Sequence, residues 1–190
     1  EKNNNPDFKP AYQKVAFYRA IEIFNEGNYQ EAIKHFDKSL SEPVDEVFVA
    51  RATFWKAESQ YLLTDYEAAL TGFKIFSEKS VSNQLKEVKN LDYNLAYTNF
   101  KLKKYDQAIQ CFESHINKNK EDKIRLNDAY LRVGDSYFVT SDYWKGMEAY
   151  NEAIKLNGVD ADYAHFQKAI SYGYVRKDNE KITDLLSFLS

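Results

Sequence analysis

A short pattern centred on a tyrosine recurs along the chain at nearly constant intervals. Tyr29, Tyr66, Tyr105 and Tyr143 follow one another at spacings of 37, 39 and 38 residues, and a weaker copy follows 35 residues later at Asp178. Such a period is typical of helical-repeat arrays, in which each unit needs its neighbours to bury its apolar face. The period therefore constrains the fold more than the length of 190 residues does.

Each copy has one segment with helical apolar periodicity before the tyrosine and another after it. After Tyr29, for example, Ala32, Ile33, Phe36 and Leu40 fall on one helix face. The chain has only 6 Gly and 3 Pro, which favours regular elements with short connections. We predict an all-α fold, a right-handed superhelix (α-solenoid) of about five antiparallel helix hairpins. The predicted repeats of this single array (residues 1–190) span approximately 12–42, 46–80, 84–119, 123–157 and 160–190.

The residues around the tyrosine suit a tight turn between two helices. Gly27 can adopt the left-handed conformation that ends a helix. Asp65 and Asp142 directly precede a tyrosine, where a carboxylate can accept hydrogen bonds from the first turn of the next helix. Pro43 follows the first hairpin and is expected to lie outside a helix.

Small residues recur where the two helices of a hairpin must approach closely. In the first helices they are Ala20, Ala57, Ala96, Gly134 and Ala169. In the second helices they are Ala32, Ala69, Ala108 and Gly146, each followed four positions later by Phe36, Phe73, Phe112 or Tyr150. The fifth copy departs from the pattern, with Asp178 at the tyrosine position, Lys181 at the small position and Leu185 as the large residue.

This combination resembles the tetratricopeptide repeat (TPR), whose simplest unit has about 34 residues. The slightly longer period resembles that of bacterial envelope TPR proteins. In the family, the first helices line a concave groove that holds an extended or helical segment of a protein partner. The resemblance therefore implies a non-catalytic protein–protein interaction scaffold. The candidate groove residues are Phe17, Phe54, Glu58, Tyr61, Tyr93, Tyr97, Phe100, Asp135 and Phe138.

Not every residue of this set is expected to meet a partner. Aromatic residues at helical spacing lie more often in the core than on a binding face, so we expect only some of these rings to be exposed. Glu58 and Asp135 are expected to be solvated charges. They would repel a terminal carboxylate, which argues against the carboxylate clamp of chaperone-binding TPR domains.

The sequence offers little for catalysis or metal binding. His35 and His115 each have one potential co-ligand a helical turn earlier, Glu31 and Cys111, whereas a zinc site needs three or four protein ligands. We find no glycine-rich phosphate loop and no nucleophile elbow. We therefore predict no enzymatic activity, no cofactor and no metal site.

Charge and hydropathy argue against two other partner classes. The net charge is −3 and lysines alternate with carboxylates, which disfavours nucleic acid. No apolar run approaches the roughly 20 residues of a membrane-spanning helix, so membrane insertion is not expected.

Two alternative functions stay open. One is a bacterial envelope factor that assists outer-membrane or secretion assembly. The other is the regulatory TPR part of an enzyme whose catalytic domain lies outside this chain. The compartment is undetermined, and the resemblance favours the bacterial periplasm over the cytoplasm. We expect the chain to be a fragment of a larger protein, and self-association through its end hairpins is a further alternative.

Overall fold

The computed structural model describes residues 8–158, 160–176, 179–180, 182–183 and 186. Within them the chain forms nine α-helices and no strand. The helices are α1 (Lys9–Asn25), α2 (Tyr29–Leu40), α3 (Glu46–Leu62), α4 (Tyr66–Glu78), α5 (Val88–Lys101), α6 (Tyr105–Lys118), α7 (Lys123–Val139), α8 (Tyr143–Leu156) and α9 (Ala161–Tyr174). A 3₁₀ helix, Ser80–Gln84, connects α4 to α5.

The helices belong to two compact units, Glu1–Leu102 and Lys103–Ser190. Unit 1 contains α1 to α5 and unit 2 contains α6 to α9. Within each unit every helix packs against the next, and in unit 1 the first helices α1 and α3 also meet. The prediction of a single array stays a prediction.

The turn before each tyrosine has the same backbone conformation. The residue two positions earlier has a positive φ in every copy: 80° at Gly27, 64° at Thr64, 59° at Lys103 and 66° at Ser141. The turn is closed by backbone hydrogen bonds, such as that from Gly27 N to the carbonyl of Phe24 at 2.9 Å. The expectation for Gly27 is confirmed, although three other residue types hold the same conformation elsewhere.

The residue before the tyrosine caps the second helix. The Oδ1 atoms of Asp65 and Asp142 accept from the backbone N–H groups of Ala68 and Lys145 at 3.3 and 3.5 Å, which confirms both predicted caps. Asn28 caps α2 in the same way. These bonds satisfy amide groups that have no partner within the helix.

The recurring tyrosine packs on an aromatic residue five positions earlier. The ring centroids of Phe24 and Tyr29 are 5.2 Å apart. The same contact joins Tyr61 to Tyr66 at 5.4 Å and Phe138 to Tyr143 at 5.5 Å. The tyrosine therefore packs the C-terminal end of the first helix against the N-terminal end of the second.

The predicted small residues lie in the core together with the large residues that follow them. In unit 1, Ala20, Ala32 and Phe36 are inaccessible to solvent, as are Ala57, Ala69 and Phe73. In unit 2 the core includes Leu131, Tyr150, Ala153 and Ala164. A Cβ atom on Gly134 would lie within 2.8 Å of three atoms of the Tyr150 ring, so this pair needs a glycine.

The fifth copy is described only in part. Helix α9 carries its buried small residue, Ala169, and Arg176 adopts a positive φ of 58° at the position that Ser141 holds in the fourth copy. The departures predicted at Asp178, Lys181 and Leu185 lie outside the described residues.

Candidate functional site

The facing sides of α3 and α5 in unit 1 are joined by polar contacts that repeat with one spacing. Arg51 Nε donates to Glu87 Oε1 at 2.9 Å, and the Asn94 side-chain amide donates to the Glu58 carboxylate. The partners in both pairs are 36 residues apart in the chain. Both contacts fall three residues short of the 39-residue step from Tyr66 to Tyr105, so each joins a residue of α3 to a position about one helical turn before its repeat equivalent.

Glu87 anchors one end of this interface. It is 3% exposed and also accepts from Trp55 Nε1 at 3.1 Å. Burial raises the pKa of Glu87, but the hydrogen bonds from Arg51, its own backbone and Trp55 outweigh burial and leave the pKa below its ordinary value. The carboxylate stays ionised and ties α3 to the residue preceding α5.

A cavity of about 250 Å³ opens between α3 and α5. Its walls are formed by Glu58 and Tyr61 of α3 and by Tyr93, Asn94 and Tyr97 of α5. All five side chains are half-buried. The Tyr93 and Tyr97 ring centroids are 5.0 Å apart at an interplanar angle of 60°, so the two rings pack edge to face rather than in parallel.

The structure brings together four of the nine predicted groove residues at this cavity, namely Glu58, Tyr61, Tyr93 and Tyr97. The fifth wall residue, Asn94, was not predicted as a site residue. A partial signal for it existed, because the 39-residue period places Tyr97 at the repeat position of Glu58, and Asn94 lies one helical turn before Tyr97 on the same helix.

Two predicted groove aromatics lie in the core instead. Phe17 has no exposed surface, and the Arg51 guanidinium lies 4.8 Å from its ring centroid. Phe54 is 3% exposed, and its ring centroid is 5.5 Å from that of Phe73 and 5.1 Å from that of Phe76. Their assignment to the groove surface is wrong in this structure, because side chains of other helices cover them.

The prediction that Asp135 is a solvated charge is wrong. It is 8% exposed rather than solvated, forms an ion pair with Arg132, and accepts from the hydroxyl groups of Tyr150 at 2.9 Å and Tyr163 at 2.8 Å. Burial raises the pKa of Asp135 above its ordinary value despite these partners. Burial, together with the Asp135 charge and hydrogen bond, raises the pKa of Tyr163 to about 12.

The remaining predicted residues, Phe100 and Phe138, are half-buried. The Phe138 ring lies 5.5 Å from both Tyr143 and Tyr174, and the latter two are stacked at 4.7 Å. Phe138 thus belongs to an aromatic cluster at one end of α7, α8 and α9.

Comparison with known proteins identifies the architecture. A family model described as anaphase-promoting complex, cyclosome, subunit 3 matches residues 25–115. The solved structure of MamA 41-end from Desulfovibrio magneticus RS-1 superposes with a TM-score of 0.75 at 16% identity, over 94% of this chain and 93% of that one. YrrB, described as a TPR protein with an unusual peptide-binding site, superposes with a TM-score of 0.74 at 16% identity, over 92% and 83%. A comparison with curated protein sequences finds no significant match.

At these identities the structural likeness concerns the fold. The chain has the tetratricopeptide-repeat (TPR) fold. The predicted all-α helical-repeat class is confirmed, and α1, α3, α5, α7 and α9 are the first helices of its TPR units.

A larger cavity of about 580 Å³ lies in unit 2. It is walled by α6, α7 and α8, and three of its four charged residues already have contacts within the chain. Glu113 accepts from Tyr137 at 3.5 Å, Lys145 pairs with Asp142 at 2.8 Å, and Glu152 pairs with Lys155 at 2.6 Å. None of the nine predicted groove residues lines the larger cavity, whereas four line the smaller cavity, which is therefore the better candidate for partner binding.

In the described part of the chain, no three His, Cys, Asp or Glu residues come close enough together to hold a metal ion. None of the described helices is long and apolar enough to cross a membrane.

Proposed function

We propose that this TPR chain is a non-catalytic interaction scaffold that binds a polypeptide segment at the cavity between α3 and α5. The observation that carries the proposal is the convergence of Tyr61, Tyr93 and Tyr97 on one cavity. Tyrosine offers a large rigid contact area at low entropy cost together with a polar group, and it is enriched at protein interfaces.

The composition of the cavity supports binding over catalysis. Glu58 is the one carboxylate among its five wall residues, and these residues include no histidine, the commonest general acid or base, and no serine or cysteine nucleophile. The description of YrrB as a peptide-binding TPR protein also supports a polypeptide partner. A fold alone does not define a function, and for that reason the proposal depends on the cavity.

Phage-displayed random peptides provide a direct test. We expect the wild-type chain to enrich peptides that bind with micromolar affinity, and Tyr97→Ala to weaken their binding about 10-fold or more because it removes one wall of the cavity. Affinity is measured by fluorescence anisotropy, and circular dichroism checks the fold.

Tyr137→Ala is the matched control, because it removes another half-buried tyrosine that lies on the unit 2 cavity. This variant should bind the selected peptides as the wild type does. Equal affinity of wild type and Tyr97→Ala would place the binding site elsewhere. A wild-type selection without any enriched peptide would contradict the proposed function.

The other two functions, envelope assembly and regulation of an enzyme encoded in the same gene, gain no support from a particular described residue. Both stay predictions, and so does any self-association.

A further inference from the structure

The cavity between α3 and α5 has a charge as well as a shape. Among its wall residues only Glu58 is charged at neutral pH, whereas the other four are three tyrosines and an asparagine. The Asn94 amide donates to one oxygen of Glu58 and so holds the carboxylate at the wall. A carboxylate can accept about four hydrogen bonds, so it can accept from Asn94 and from further donors at the same time.

The tyrosines add aromatic surface beside this carboxylate. Tyr93 and Tyr97 meet at 60°, and Tyr61 adds a third ring from the opposite helix, so aromatic rings border the cavity from both helices. The face of an aromatic ring carries negative charge density and attracts a cation placed over it. The carboxylate attracts a cation and disfavours an anion, and a ring that presents its face to the cavity adds to this attraction.

The size of the cavity limits what can enter. Its volume of about 250 Å³ lies below the roughly 300–1,000 Å³ of sites that enclose a drug-sized ligand. A single amino-acid side chain is the matching occupant. We infer that the cavity binds one lysine or arginine side chain of the partner polypeptide, with Glu58 as the residue that selects the charge. This inference depends on the proposed polypeptide-binding function.

The test compares peptides selected from one random library by the wild type and by Glu58→Gln. This substitution keeps the side-chain length and an oxygen that can accept from Asn94, so the fold should be retained. We expect the wild-type pool to carry lysine or arginine at one fixed position and the Glu58→Gln pool to lose that preference. A Glu58→Lys pool should favour an acidic residue there.

The outcomes separate the two proposals. Enriched wild-type peptides that lack a fixed basic residue, or the same basic residue in the Glu58→Gln pool, would overturn the inference and leave the binding function in place. Failure of the wild type to enrich any peptide would instead contradict the binding function, and the inference with it.

The affinity of one selected peptide for each protein provides a second test of the inference. Replacing its basic residue by the uncharged norleucine should weaken binding to the wild type about 10-fold, the size expected for a cation held by aromatic rings and a carboxylate. The same replacement should change binding to Glu58→Gln by a clearly smaller factor. Equal loss in both proteins would show that Glu58 does not contact the cation.

Discussion

Glu58 in unit 1 and Asp135 in unit 2 occupy the same repeat position, eight residues before a turn tyrosine, yet their surroundings are opposite. Glu58 lies half-buried at the wall of a cavity. Asp135 is buried beneath Tyr150 and Tyr163 and is paired with Arg132. The same position can therefore expose a carboxylate to a partner or use it to hold the protein's own helices together.

The residues around the two carboxylates explain the difference. Tyr150 follows Tyr143 by seven residues, as Phe73 follows Tyr66 in unit 1. Tyr163 precedes Asp178 by 15 residues, as Asn90 precedes Tyr105. Phe73 has no hydroxyl group to donate, and asparagine is shorter than tyrosine. Two phenols thus donate to the carboxylate in unit 2, whereas neither Phe73 nor Asn90 lines the cavity beside Glu58 in unit 1.

This comparison shows that the position of a residue within the repeat does not by itself define the role of that residue. One carboxylate is half-buried and the other is buried because burial depends on residues from other helices, which differ between the two sites. The following variants test this comparison, from the largest expected effect to the smallest.

Gly134→Ala should destabilise unit 2 most, by about 3 kcal/mol, because the new Cβ would overlap the Tyr150 ring and well-packed cores resist added volume. Unit 1 already has an alanine, Ala57, at this position. Urea denaturation measures the free energy of unfolding. Gly27→Ala is the control, since its Cβ meets nothing within 4 Å and only the positive φ opposes it, at about 1 kcal/mol. Similar losses for both variants would argue against the overlap.

Asp135→Ala should lower the free energy of unfolding by about 2 kcal/mol, because it leaves the buried Tyr150 hydroxyl without its acceptor. Glu58→Ala should cost less than about 0.5 kcal/mol, since its side chain is half-buried and lines a cavity. Parallel denaturant titrations compare the two. If Glu58→Ala is as costly as Asp135→Ala, the contrast between the two carboxylates is wrong.

Tyr150→Phe should cost about 1 kcal/mol, because it removes one hydrogen bond to Asp135 and keeps the ring in the core. Tyr163→Phe removes the second phenol from Asp135, at a partly exposed position, and should cost less. Thermal unfolding followed by circular dichroism resolves the order. A larger loss for Tyr163→Phe would show that the partly exposed hydroxyl is the stronger partner.

The smallest effect is a pH dependence. Burial raises the pKa of Asp135 above its ordinary value of 3.8, so between these two pKa values the folded chain keeps a proton that the unfolded chain has lost. The contribution of this group to stability is therefore greatest at low pH and falls as pH rises through the folded pKa. The stability of wild type relative to Asp135→Asn should fall with rising pH across this window and then level off. A constant difference over the same pH range would mean that the pKa of Asp135 is not raised.

Sequence reasoning predicted the local features well. The period, the capping by Asp65 and Asp142 and the left-handed Gly27 follow from interactions between residues only a few positions apart, and these interactions are readable in one stretch of chain. Four of the five cavity residues are also among the nine predicted groove residues, because the family resemblance assigned the groove to the first helices.

The sequence by itself thus determined an all-α helical repeat, its turns and the small residues that let helices approach. Only the tertiary structure decided that Phe17 and Phe54 are core residues, that Asp135 is buried and that Asn94 completes a cavity with Glu58. The physical reason is that the residues in contact are far apart in the sequence. Burial of these groups is set by partners such as Glu58 for Asn94 and Tyr163 for Asp135, which lie 36 and 28 residues away on another helix. The periodicity of a single helix does not contain that information.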